Sequence, residues 1–244
     1  MSVSGQHGPT KHSGGSRVGS LSPVASPSGR RDDPESGLIL LAAFDLDGTL
    51  LEDDSSWAAI HRHFGTPERG AASLKLYTAG RIDYREFMRR DISCWPRGLT
   101  KREIEGILAG YRLRTEAPAV VRGLRKRGID VAIVTSGIDI LAENVAEDLG
   151  IEHWVANGLK FDSMGILQRT GVGRVDPRRK DVAYLRLLES LRISSNRTIA
   201  VGDTIYDRSF LRSARMGFIL DHSKRLEVPG AYHIRKLTDI LAFL

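Results

Sequence analysis

The sequence predicts an α/β fold, with a parallel-sheet core and a small helical cap inserted after the first strand. Three observations carry this. Short runs, apolar but for Thr198, stand at Leu38–Phe44, Val131–Val134 and Thr198–Val201, the pattern of strands buried on both faces. Helical patterns at Ile138–Leu149 and Asp181–Leu191 lie between the last two, as expected of connections between parallel strands. Residues 55–115 break the alternation and hold no strand-like run.

Taken in order, residues 1–37 come first. Ser, Gly and Pro fill 20 of these 37 positions, and no aromatic residue precedes Phe44. Such a segment buries too little apolar surface to offset its ordering entropy, so a disordered tail is expected. It has no apolar stretch of the kind a secretory signal needs. The first strand follows at Leu38–Phe44. Helices are then expected at Trp57–Phe64, Gly70–Thr78, Tyr84–Trp95 and Arg102–Tyr111, the third with Phe87, Met88 and Ile92 on one side. An insert of this size far exceeds a strand-to-helix loop of about 2–6 residues. The division is therefore a tail at 1–37, a Rossmann-like core at 38–54 and 116–244, and a cap at 55–115.

Composition narrows the function classes. No apolar run approaches the roughly 18 residues of a membrane span. One cysteine, Cys94, excludes an internal disulfide and a multi-cysteine zinc site, and with the missing signal favours the cytoplasm. The net charge of +6 favours anionic partners: nucleic acid, anionic lipid or phosphorylated small molecules. Of the 36 basic residues 28 are arginine, scattered rather than blocked, so a solvated surface is expected and no nucleic-acid partner.

The chemistry-bearing residues fall at the strand ends. Phe44-Asp45-Leu46-Asp47-Gly48-Thr49 places two carboxylates two apart after a buried strand, where a parallel sheet forms its ligand crevice. Their repulsion would be relieved by a hard cation such as Mg²⁺. The bland alternative is an ordinary Asp-Gly turn. Thr135-Ser136-Gly137 follows the second run, where hydroxyls and free backbone N–H groups suit a phosphate, or cap a helix. Gly202-Asp203-Thr204-Ile205-Tyr206-Asp207 follows the third and adds two carboxylates four apart. Lys180 stands at the start of the preceding helix as a possible counter-charge.

Together these four elements resemble the haloacid dehalogenase superfamily of phosphohydrolases over Leu38 to Leu220. The cap between the first two, with Gly80-Arg-Ile-Asp-Tyr84, Leu149-Gly-Ile151 and Ala156-Asn157, is similar to the phosphoserine phosphatase-like branch. The resemblance implies a Mg²⁺-dependent phosphomonoesterase acting on a small phosphorylated metabolite. Asp45 would be the nucleophile, forming an aspartyl-phosphate. Asp47 would be the general acid and then the base. The Asp45 carboxylate, the Asp47 main-chain carbonyl and Asp203 would hold the metal, with Asp207 supporting them. Thr135, Ser136, Gly137 and Lys180 would bind and balance the phosphoryl group. Asp47 also argues against carbon–halogen chemistry, because halide departs without a proton.

Substrate choice follows the resemblance less closely. Asp54 matches the acidic residue that faces the substrate ammonium in phosphoserine phosphatases. Asp91 stands where that branch uses an arginine for the substrate carboxylate, with Arg89 and Arg90 alongside. Tyr206 replaces an asparagine of the last motif, and Ser136-Gly137 replaces a glycine pair. His61 and His63 lie two apart and should face different sides of their helix. Trp57, Trp95 and Cys94 are expected in the cap core. Competing readings are phosphotransfer through the same intermediate, as in a mutase, and a basic binding protein without catalysis.

Overall fold

The structure is a computed structural model and describes residues 37–52, 55–221 and 226–244. The expected disordered tail (except Gly37), Asp54 and His222 lie outside the described residues. The first strand, β1, spans Leu41–Phe44. Four helices follow: α1 (Ser56–His63), α2 (Pro67–Thr78), α3 (Tyr84–Cys94) and α4 (Lys101–Leu108). The chain then runs through α5 (Ala117–Lys126), β2 (Asp130–Ile138), α6 (Asp139–Leu149), β3 (His153–Phe161) and β4 (Leu167–Val172). After it come α7 (Lys180–Leu191), β5 (Thr198–Gly202), α8 (Arg208–Ser213), β6 (Met216–Leu220) and β7 (Ala231–Ile234). Among the described residues, no helix is long and apolar enough to cross a membrane.

The strands form one sheet in the order β4-β3-β2-β1-β5-β6-β7. Only β4 runs antiparallel to its neighbour. Alternation along β1 explains the two layers of helices. Ala42 and Phe44 join one core with Ile133, Val201, Val121 and Val145, whereas Leu41 and Ala43 join another with Val134, Tyr184, Leu187 and Phe210. All four β1 residues are fully buried, so β1 reads as an unbroken apolar run. Phe44 pairs with Ile133 on one side and Val201 on the other. The residues just past these three emerge at one edge, where the strand order reverses about β1. Such reversal points form the crevice of open parallel sheets.

Several boundaries differ from the sequence reading. Strand β1 starts at Leu41, and Leu38 is exposed. Strand β2 runs on through Thr135–Gly137 to Ile138, its pairing with β3 shifting register on the way. Those residues therefore form a distorted strand end rather than a loop before α6. Strands β3, β4, β6 and β7 were not apparent in the sequence. Polar residues interrupt β4 at Gln168–Thr170 because it is an edge strand, and β3 at His153, Asn157 and Lys160, of which the buried Asn157 serves the hydrogen bonds described below.

The helical insert leaves and rejoins the core through a bridge between Leu51 and Leu113. Ser55 caps α1 by accepting from Ala58 N–H, and Thr100 and Glu103 form a reciprocal cap on α4. Aromatic rings fill the insert, with Trp57 stacked on Trp95 at 5.8 Å and Tyr84 on Phe87 at 5.5 Å. Cys94 is half-buried at the end of α3, and its thiol donates to the Arg90 carbonyl. The end of α2 is clasped to the segment leading into α7. There the Tyr77 hydroxyl donates to Asp176, and the Arg178 guanidinium lies over the Tyr77 ring and donates to its carbonyl.

Asn157, fully buried on β3, joins three parts of the molecule. Its amide donates to the Tyr84 hydroxyl (2.8 Å) and to the carbonyls of Ser136 (2.8 Å) and Val175 (2.9 Å). Its oxygen accepts from the N–H groups of Arg174 (2.8 Å) and Val175 (2.9 Å). Replacing it with leucine strands several buried polar groups, each costing about 1–3 kcal/mol. Asn157→Leu should therefore lower unfolding stability by roughly 3 kcal/mol or more. Urea denaturation checks this, and a loss under about 1 kcal/mol would refute the linking role.

Candidate active site

Asp45 directly follows β1 and is held by its own N–H, which donates to the Val201 carbonyl at 2.8 Å. The chain then turns tightly through Leu46–Leu50. Gly48 has φ of 79°, and a Cβ there would lie 2.2 Å from Asp203 Oδ2, so the position admits no side chain. The turn brings Thr49 to donate to Asp203 Oδ1 at 2.9 Å, and Arg114 donates to the Gly48 carbonyl at 2.7 Å.

Lys180, at the start of α7, reaches into this edge. Its Nζ lies 2.6 Å from Asp45 Oδ1 and 2.6 Å from Asp207 Oδ1. Burial alone would favour the neutral amine, but the charges of Asp207 and Asp45 outweigh it and hold the pKa above its ordinary value. The other oxygen of Asp207 accepts from the N–H groups of Asp203 (3.1 Å) and Thr204 (2.9 Å) and from the Thr204 hydroxyl (3.1 Å). Asp207 therefore fixes both Lys180 and the turn that carries Asp203.

Asp45, Asp203 and Asp207 each bring a carboxylate oxygen within 4.8 Å of the others. Three carboxylates against one ammonium leave two negative charges in a buried site. The cost shows in their titration. Burial, then the charges of Asp207 and Asp203, push Asp45 well above the usual carboxylate range despite Lys180. Burial and the Asp207 charge push Asp203 up to about 6. Hard oxygen donors with uncompensated negative charge suit a divalent cation. The Asp47 carboxylate is not in this cluster; its Oδ2 accepts from the Ser56 hydroxyl at 3.0 Å.

The second strand end faces the same edge. Thr135 is buried, and its hydroxyl accepts from the Gly137 N–H at 2.9 Å instead of capping α6. A Cβ on Gly137 would lie 2.5 Å from Asp47 Oδ2 and 2.7 Å from Ser56 Oγ. The Ser136 carbonyl accepts from Trp57 Nε1 (3.1 Å), the Tyr84 hydroxyl (3.0 Å) and Asn157 Nδ2 (2.8 Å). A peptide unit points its N–H opposite its C=O, so these donors orient the Gly137 N–H as well. Ser56, Trp57 and Tyr84 were not anticipated as site residues. Ala156-Asn157 was noted only for its resemblance.

The four residues expected to set specificity separate. Arg89 and Arg90 turn outward, where both pair with Glu86 at 2.6 and 2.9 Å. Asp91 lies inward on the face of Phe87, Met88 and Ile92, and is buried. Its Oδ2 stands 3.2 Å from His61 Nε2, and His61 Nδ1 meets the Thr66 hydroxyl at 2.9 Å. His63 is exposed, so the two histidines do face different sides. Trp57 and Trp95 pack in the insert's core as expected, but Trp57 also touches Ser136. Asp54 lies outside the described residues, and Tyr206 is exposed.

Comparison with known proteins agrees with this arrangement. Residues 42–212 match the haloacid dehalogenase-like hydrolase family. The chain is 28% identical over 210 residues to the phosphoserine phosphatase of Methanocaldococcus jannaschii, covering 84% of this chain and 97% of that protein. It is 24% identical over 209 residues to the phosphoserine phosphatase of Lactococcus lactis, covering 84% and 94%. With the Archaeoglobus fulgidus phosphoserine phosphatase the identity is 24% over 187 residues, 77% of this chain but about half (54%) of that one. Among solved structures, a phospho-aspartyl intermediate analogue of phosphoserine phosphatase superimposes with a TM-score of 0.71 at 25% identity, covering 85% and 99%. The hydrolase t0658 of Salmonella enterica serovar Typhi shares the fold, with a TM-score of 0.70 at 19% identity, covering 81% and 68%. The chain thus belongs to the haloacid dehalogenase-like hydrolases, on their phosphoserine phosphatase-like branch.

Proposed function

We propose that the chain is a Mg²⁺-dependent phosphomonoesterase that acts on a small phosphorylated metabolite through an aspartyl-phosphate intermediate. The observation that carries this reading is the convergence of Asp45, Lys180 and Asp203 at one sheet edge, beside the clamped Gly137 peptide. Asp45, the Asp47 main-chain carbonyl and Asp203 would hold Mg²⁺, with Asp207 supporting them, and the ion would neutralise charge on the phosphoryl oxygens. The unbalanced carboxylates fit such an ion.

The remaining work falls to the chain. An Asp45 oxygen attacks phosphorus as the bond to the leaving oxygen breaks. Asp47 gives its proton to that oxygen, releasing an alcohol. The ionised Asp47 then takes a proton from water, which attacks phosphorus and frees Asp45 and inorganic phosphate. Thr135, the Ser136 N–H, the Gly137 N–H (which exchanges the Thr135 hydroxyl for a phosphoryl oxygen) and Lys180 bind and balance the transferring group. The helical insert acts as a cap that excludes bulk water and selects the leaving group. Phosphoserine is the substrate named for the relatives. Here Asp91 is buried against His61, and Arg89 and Arg90 pair outward with Glu86, so these residues of α3 offer a substrate carboxylate no partner and phosphoserine belongs in the assay without priority.

The direct test is phosphate release from phosphoserine, sugar phosphates, nucleotides, cationic phosphoesters and an aryl phosphate. Turnover should need Mg²⁺, vanish in EDTA and fall by roughly a thousandfold or more in Asp45→Asn. Full activity in that variant would sink the nucleophile assignment. Gly137→Ala drives a methyl into Asp47 and Ser56 and should cost on the order of a hundredfold in kcat. Unchanged kcat would show that this strand end yields freely. Mg²⁺ binding requires Asp45 and Asp203 both ionised, and the pKa of each is raised, so affinity should weaken as pH falls toward and through about 6, by roughly tenfold per unit or more below it. Calorimetric titration reads this directly, and an affinity flat from pH 7 to 5 would contradict the assignment.

A further inference from the structure

We propose that Ser56, the first residue of α1, is the positioning residue of Asp47, and that it assigns the two carboxyl oxygens. Oδ2 is the fixed acceptor, and Oδ1 carries the proton delivered to the leaving group. The inference rests on the general-acid role given to Asp47 above.

The Ser56 hydroxyl has one hydrogen and two lone pairs. Ser56 is buried, with 1% exposure, so bulk water does not compete for either. Its Oγ accepts from the Ile138 N–H at 3.0 Å. Its one hydrogen goes to Asp47 Oδ2, also at 3.0 Å. While that donation stands, a proton on Oδ2 would face the hydroxyl's own hydrogen, so an acid held in this way carries it on Oδ1. Oδ2 is hemmed in from a second direction, because the Gly137 Cα turns toward it with no room for a Cβ. Helix capping does not explain Ser56, since Ser55 supplies that bond to Ala58 N–H.

The neighbouring residue extends the device. Trp57 donates to the Ser136 carbonyl at 3.1 Å, while Ser56 receives the Ile138 N–H. Consecutive side chains of α1 thus grip the backbone on either side of Gly137. The same helix end sets the carboxyl of Asp47 and the peptides proposed to hold phosphate. Proton delivery is therefore in register with phosphate binding only while α1 is seated.

The test uses the leaving group. An alkoxide needs a proton as it departs, whereas a nitrophenolate does not, so in kcat/KM, which ends with that departure, a residue acting through the acid matters for the first alone. The readout is kcat/KM with Mg²⁺ for the alkyl phosphate the enzyme turns over best and for 4-nitrophenyl phosphate. Ser56→Ala should lower the alkyl value by roughly 10–100-fold and the aryl value by less than about threefold. Ser56→Cys keeps a side chain of similar size but donates weakly, so it should show the same split if the alanine variant does not fold. Equal losses on both substrates, or no loss on either, would overturn the proposal. Wild-type protein inactive on every phosphoester would overturn the hydrolase reading itself, and this inference with it.

Discussion

Lys180 Nζ lies 2.6 Å from Asp45 and 2.6 Å from Asp207, with Asp203 close beside them, and these buried charges do not cancel. Much of the surrounding fold serves to keep them together. The parallel register of β1 with β2 and β5 sets the strand ends level. Two backbone N–H groups and a hydroxyl hold one oxygen of Asp207, and Thr49 holds Asp203 from across the crevice. A carboxylate released from this frame would escape its neighbours' repulsion. The frame therefore stores an electrostatic cost that an incoming cation relieves.

The helical insert and the sheet meet at one carbonyl. Ser136 accepts from Trp57 and Tyr84 of the insert and from Asn157 of the core. Asn157 bonds Tyr84 as well, and through Val175 it reaches the segment that leads to Lys180. That same segment clasps the end of α2 through Tyr77, Asp176 and Arg178. The insert is thus tied to both the second strand end and the approach to α7.

How much of this was legible depends on the range of the interaction. Asp45, Asp47, Thr135, Asp203 and Asp207 are legible because they follow apolar strand runs and sheet topology gathers strand ends, whereas Lys180, at a helix start, is legible only as the counter-charge those carboxylates need. The inward face of Asp91 was also readable, since it lies one turn after Phe87, with Glu86 spaced to pair with Arg89 and Arg90 outside. Ser56, Trp57, Tyr84 and Asn157 were not readable as site residues. Their roles arise only when the insert docks, between positions 79, 52 and 21 residues apart in the chain, and no local pattern encodes that. The edge strands were hidden for the converse reason, since partial exposure dilutes their apolar pattern.

Three of the carboxylates have a glycine at their back. A methyl at Gly48 would strike Asp203, one at Gly137 would strike Asp47, and one at Gly202 would strike Asp207. The site is therefore vulnerable to addition as well as removal. Most ways of inactivating an enzyme delete a functional group, but here the gain of one carbon suffices, at positions that contribute no side chain to the chemistry. Hereditary damage to this centre would fall on glycine codons as heavily as on aspartate codons. A lineage that abandoned the reaction would be free to fill these spaces, so glycine kept at 48, 137 and 202 would mark descendants that still depend on it.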